Sequence, residues 1–276
     1  MLKIRFASLC LVIMLAWLCP AAMGEPLTFG IVPQQSAQKL ARNWGPVCAY
    51  LSEKTGIDIR FTTAPDIPEF ERRLANSQYD IAYMNPYHYT VFCRSPGYIA
   101  FAKQKDKFIS GIIVVHKDST FRDCDDFAGK TLVFPSPAAF AASILTRAHF
   151  RKTGISITPK YVKSHDSVYY NVAQGLFAAG GGVKRTFMNT DPDVRKKLRI
   201  IWTTDEYTSH AIAAHPRITP TVRDKILAGL LMMNANVHAR PLLEAIKFKG
   251  FAPAADEMWD DVRALEIDIL ESFAGP

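Results

Sequence analysis

Asn85-Pro86-Tyr87-His88-Tyr89 is the densest polar and aromatic cluster in the sequence. A proline in the first turn is pre-organised for a helix N-terminus. Tyr87 is therefore a candidate to offer its hydroxyl to a ligand, and Asn85 a candidate contact or cap. Ser136-Pro137-Ala138-Ala139 reads as a second helix start. There Ser136 can cap or bind, and the small Ala138 and Ala139 let backbone N–H groups come close to a bound group. Ser164-His165-Asp166-Ser167 opens a third. His165 can donate a hydrogen bond near neutral pH, while Asp166 is read as a helix cap, because adjacent residues do not generally face each other. Gly180-Gly181-Gly182 is followed by Lys184 and Arg185; Arg185 is a candidate source of positive charge, although the run lacks the Lys-Ser/Thr end of a phosphate-binding P-loop. Gln35, in the turn Pro33-Gln34-Gln35-Ser36, completes the candidates.

These residue types suit recognition of a small polar ligand better than catalysis. A nucleophilic enzyme needs a nucleophile beside a base that a third group orients, and no G-x-S-x-G, H-E-x-x-H or C-x-x-C pattern occurs. The 7 histidines are dispersed, so no metal or other cofactor is expected. Cys93, beyond Tyr87, reads as a small residue on a helix. Basic residues are scattered, without the aromatic-interleaved stripe of a nucleic-acid surface.

The elements that must position the candidates alternate between β-branched runs and helical patterns, which predicts βαβ units and mostly parallel sheets. Strands are predicted at 27–32, 58–62, 80–84, 98–103, 109–116, 130–134, 159–162 and 199–203. Helices are predicted at 37–54, 68–75, 87–94, 138–152 and 167–174, and from Pro220 onward, where Val222, Ile226, Leu230 and Met233 form one stripe. Each candidate cluster lies in a turn between a strand and the helix that follows. Helix N-termini carry unpaired N–H groups and partial positive charge, so several converging on one cleft make an anion site.

Lys3 and Arg5 precede the apolar run Phe6 to Leu18, and Ala22 and Gly24 stand before a plausible cut ahead of Glu25. This reads as a cleaved signal peptide over residues 1–24 and predicts a periplasmic protein. Removing Lys3 and Arg5 lowers the formal charge from +7 to +5, which mildly favours anions. Cys48, Cys93 and Cys124 remain, an odd number in an oxidising compartment, so at least one is free or paired between chains.

Phe29-Gly30-Ile31-Val32-Pro33, Trp44-Gly45-Pro46, Tyr79-Asp80-Ile81-Ala82, Gly129-Lys130-Thr131-Leu132, Arg151-Lys152-Thr153-Gly154-Ile155 and Ser164-His165-Asp166-Ser167-Val168, in this order and spacing, resemble the PhnD-like substrate-binding proteins of phosphate, phosphite and phosphonate ABC transporters. The resemblance implies an α/β type II periplasmic binding fold with two lobes and an oxyanion captured between them. Residues 25–115 would begin lobe 1, 116–204 would form lobe 2, and 205–276 would return to lobe 1, with hinge crossings near Ile109 to His116 and Thr203 to His210. The implied partners are a small oxyanion and an ABC permease, with a monomer expected. A sensing role beside a membrane histidine kinase, as in arsenite-sensing relatives that use a Cys, is the alternative. The chain departs from the family pattern at Pro137-Ala138-Ala139, where hydroxyl residues are usual, at Ile67 in place of a Tyr, and at Ala178 in place of an acid.

Overall fold

The computed structural model describes residues 25–273. The expected leader at 1–24 lies outside them. Two mixed sheets form the two lobes. The first contains β1 (Leu27–Ile31), β2 (Ile59–Thr62), β3 (Ile81–Met84), β4 (Ile99–Gln104), β12 (Ala211–Ala214) and β13 (Phe251–Pro253), in the order β13-β4-β12-β3-β1-β2. The second contains β6 (Gly111–His116), β7 (Thr131–Phe134), β8 (Thr158–Tyr161), β9 (Ala179–Val183) and β10 (Leu198–Thr203), in the order β10-β6-β9-β7-β8. Between them, β5 (Phe108–Ile109) and β11 (Tyr207–Thr208) pair antiparallel as a two-stranded hinge.

The sheets are less parallel than the alternation predicts, for a reason that concerns the site. β1 runs parallel to β2 and β3, and β7 parallel to β8 and β9, whereas β12 is antiparallel to both its neighbours and so is β6. β6 and β12 are the strands entered directly from the hinge. A chain arriving there starts at the cleft and must run away from it, while the parallel strands end at the cleft and launch their helices from its wall. The expected crossing strand Ile109 to His116 therefore divides: Phe108–Ile109 is hinge, and Gly111–His116 lies wholly in the second sheet.

The helix starts follow local rules. Ser36 caps Ala37–Thr55, Asp66 caps Ile67–Ala75, Asn85 caps Pro86–Phe92 and Ser164 caps His165–Ala173, each side-chain oxygen accepting from a backbone N–H of the first turn. The expectation that Asp166 caps its helix is corrected here. Ser164 Oγ accepts from Ser167 N at 3.1 Å, and the helix begins two residues earlier than its periodicity suggests. On the helix from Pro220, Ile226, Leu230 and Met233 are buried, as their spacing predicts.

The expected helix over 138–152 opens as a π-helix, Phe140–Leu145, before continuing as α-helix Thr146–Lys152. Its backbone packs directly on Gly181 of β9, and the glycines of that strand are buried. A Cβ at Gly181 would overlap Ala142 O and the ring of Phe134, and one at Gly182 would overlap Tyr169. Gly181→Ala is therefore expected to cost about 1–3 kcal/mol, because the obstacle is backbone that cannot rotate away. Gly45, inside the helix Ala37–Thr55, has nothing within 4 Å of an added Cβ, so Gly45→Ala should stabilise by about 0.5–1 kcal/mol. Urea unfolding of both variants checks the pair; equal effects would contradict the close approach at β9.

Cys48, Cys93 and Cys124 are all free thiols. Burial pushes Cys48 and Cys124 up to about 12, so neither is a nucleophile near neutral pH.

Candidate ligand cleft

The lobes meet face to face. Ala138 to Leu145 and Val183 of the second lobe belong to the same buried apolar cluster as Phe29, Ile31, Val32 and Ile67 of the first. Polar contacts cross the seam directly: His165 N donates to Gln34 O at 3.1 Å, Asn85 Nδ2 to Ala138 O at 3.2 Å, and Ser36 N to Asp166 Oδ2 at 3.4 Å, while Lys39 Nζ reaches Asn189 O. The cleft is closed.

Two small chambers remain inside it. The inner one, about 10 Å³, lies between Gln34, Ile67 and Asn85 of the first lobe, the helix start Ala139 to Ala142, and His165. The outer one, about 20 Å³, opens toward the hinge between Tyr83, Lys107, Ser209, Lys184 and Arg185. Ile109, Val183 and His210 line both, so the chambers are continuous neighbours. Each holds roughly one water-sized volume.

The helix start supplies donors without charge. Its first turn of hydrogen bonds is made by Ser143 N and Ile144 N to Ala139 O, leaving the N–H groups of Phe140, Ala141 and Ala142 at the free positive end of the helix. A π-helix opening widens that end, a recurrent feature of functional sites. Close by in sequence, Ser136 Oγ and Ser143 Oγ are buried without partners, as is Ser209 Oγ in the outer chamber. An unsatisfied buried hydroxyl is costly unless something else completes it.

A relay of side chains joins the two lobes. Arg185 Nη2 donates to Gln34 Oε1, and the guanidinium carbon lies 6.0 Å from the centre of the Tyr83 ring. With its oxygen so engaged, Gln34 must present Nε2 as donor to His210 Nε2, 3.1 Å away. The His210 ring is then neutral, with its proton on Nδ1. It stacks on Tyr83, with centroids 4.9 Å apart. Burial, reinforced by the Arg185 charge, holds His210 well below the ordinary imidazole range. The same two causes bring His165 down to about 3, and its Nδ1 lies 3.3 Å from Thr186 Oγ1. Both histidines are neutral hydrogen-bonding groups here, and the formal charge comes from Arg185, Lys107 and Lys184.

The residues singled out from the sequence divide. His165, Arg185, Asn85 and Ala139 line the chambers. Ser136 and Ala138 form the turn just before, Ala138 through its carbonyl contact with Asn85. Gln35 is buried with Nε2 unpartnered, but the chamber residue is its neighbour Gln34. Tyr87 is a correction. Its hydroxyl accepts from Leu270 N at 2.7 Å, and it lines an outward groove with Arg94 and Arg263. His88 next to it bonds Glu71 at 3.0 Å, and Cys93 packs 3.6 Å from Arg263 Nη2, so neither enters the chambers. Sequence reasoning missed Gln34, Tyr83, Phe140, Ser209 and His210. For the last two a signal existed: a polar Ser-His pair stands immediately before the buried run Ala211 to Ala214, where the chain leaves the hinge.

Comparison with known proteins agrees with this architecture. Residues 29–259 match the family described as ABC transporter, phosphonate, periplasmic substrate-binding protein. The phosphate-import protein PhnD of Mycolicibacterium smegmatis is 22% identical over 77% of this chain and 73% of its own length. The phosphonates-binding periplasmic protein of Escherichia coli is 21% identical over 88% of this chain and 76% of its own. Among solved structures, a binding component of an ABC phosphonate transporter from Pseudomonas aeruginosa superposes with a TM-score of 0.80 at 18% identity, covering 87% of this chain and 85% of the other. A Prochlorococcus marinus protein in complex with methylphosphonate gives 0.79 at 17% identity, covering 87% and 96%.

Proposed function

The chain belongs to the family of periplasmic substrate-binding proteins of phosphonate ABC transporters, and from that premise we propose that it captures a small oxyanion, phosphonate- or phosphite-like, and hands it to a membrane permease without chemical change. The observation that carries this reading is the closed cleft itself. A helix start with free N–H groups, one half-buried arginine and two neutral imidazoles converge on chambers that straddle the seam. Helix N-termini and guanidinium groups both favour oxyanions, and the low dielectric of a closed seam strengthens each interaction.

Placement at the seam makes binding and closure one event. A ligand that touches Gln34 and Asn85 on one side and the 140–142 amides and Arg185 on the other interacts with both lobes only when they meet, so it favours the closed state. A permease then has a shape to read.

Isothermal titration with methylphosphonate, phosphite and phosphate tests the reading, with native mass spectrometry of the purified protein to reveal any ligand it already holds. At least one of these oxyanions should bind at micromolar concentration. No binding of any of them at millimolar concentration would refute the reading.

A further inference from the structure

The charge of the chambers is one-sided. Among the described residues no Asp or Glu lines either chamber, while Lys107, Lys184 and Arg185 line the outer one. None of these three cations makes an ion pair within the described residues. Acids near the seam are committed elsewhere. Asp166 accepts from Ser36 N and faces Lys39, and Glu71 bonds His88. The rest of the lining is uncharged: Gln34, Asn85, Gln104, Ser110 and Ser209 are neutral polar groups, and Ile67, Ile109, Phe140 and Val183 supply apolar walls beside two neutral histidines.

We propose that this site takes an oxyanion whose remainder is uncharged and small, hydrogen or a short alkyl group, and rejects ligands that carry an ammonium group beside the anion. This rests on the oxyanion reading above and sharpens it. A closed cleft strips water from whatever it holds. An ammonium there would lose its hydration with no carboxylate to replace it, and would sit within reach of unpaired cations of its own sign. A methyl group or hydrogen loses nothing comparable and meets apolar walls. The chambers are small, about 20 and 10 Å³, so a bulky remainder is disfavoured. Ser209 Oγ, buried and unpartnered in the outer chamber, is a spare neutral hydroxyl suited to an anionic oxygen.

The test compares probes that share the anion and differ in the remainder, with ethylphosphonate as the uncharged match for size. Affinities for phosphite, methylphosphonate, ethylphosphonate and aminomethylphosphonate are measured by isothermal titration on the wild-type protein and on Lys184→Glu. The substitution falls at an exposed position that the fold tolerates. Ethylphosphonate should bind at least tenfold more tightly than aminomethylphosphonate, and Lys184→Glu should narrow that ratio at least threefold. A wild-type ratio below tenfold overturns the proposal while leaving oxyanion capture intact. A ratio that Lys184→Glu leaves unchanged overturns its charge basis. If none of the four probes, nor phosphate, binds at millimolar concentration, the oxyanion reading fails and the ligand class fails with it.

Discussion

Arg185→Ala is expected to weaken oxyanion binding by about 100-fold, the largest loss of any single side chain in the cleft. Arg185 is the half-buried cation of the chambers, and it also bridges to Gln34 on the opposite lobe. Removing it deletes charge-assisted hydrogen bonds worth about 1.5–3 kcal/mol each. It also leaves Gln34 Oε1 without its donor at the seam, so closure becomes less favourable whether or not ligand is present. Arg185→Lys keeps the charge but loses the planar fork, and should fall between, near tenfold. Gln34→Ala separates the two effects. If Arg185 acts only by latching the lobes, Gln34→Ala will be as damaging as Arg185→Ala; if it contacts the anion, Gln34→Ala will cost clearly less. Unchanged affinity in Arg185→Ala would remove it from the site.

Arg185 also illustrates what was legible beforehand. A basic residue following a strand and opening a helix at the cleft can be found from sequence, because strand and helix periodicities place the turn. His165, Asn85 and Ala139, singled out in the same way, also line the inner chamber. What could not be read was which side of a turn a given side chain takes. Gln34 and Gln35 are consecutive in the bend between β1 and the helix that follows. Nothing in the sequence chooses between them, and the chamber residue is Gln34. Tyr87 fails for a related reason: the helix start was correct, but the hydroxyl turns outward to Leu270, 183 residues away in sequence. The glycines of β9 read as the end of an apolar stretch, with no alternation to show which face each one gives. The role of Gly181 appears only when the backbone of the π-helix is seen packed on it.

The expected crossing segments include the paired strands β5 and β11, but what the chain around them adds to the chambers was not legible. Tyr83, Ser209 and His210 come to line the outer chamber because β12 returns between β3 and β4, a neighbourhood set by long-range strand order. His210 stacks on Tyr83 and accepts from Gln34, both in its own lobe, and is tied to the second lobe through the bond from Arg185 to Gln34.

That position leads to the second large effect: acidification should open the cleft. In the closed state the His165 imidazole is brought down to about 3 and His210 is lowered as well, chiefly by burial and then by Arg185. When the lobes part, both rings regain water and return toward the ordinary value of about 6.5. Below that value the open form binds protons that the closed form refuses, so each ring favours opening as pH falls. From pH 7.5 to 5.5 the shift amounts to roughly tenfold per histidine and about 100-fold for the two, or about 2.7 kcal/mol. The same sign holds for unfolding: the stabilisation is fully present above about 6.5 and is lost as pH falls toward about 3. Asp166, whose carboxyl is pushed up by burial, acts in the opposite sense and from the acid side, and it stays paired with Lys39 across the seam. The Arg185 charge acts on both titrating rings. A phosphoryl ligand itself ionises near pH 6, so scattering from the ligand-free protein is the cleaner readout. The radius of gyration should rise between pH 7.5 and 5.5, and His210→Asn should cut the underlying shift to about tenfold. A radius constant over this range in wild type would mean that the buried histidines do not couple to closure, and that the seam is held by its apolar contacts alone.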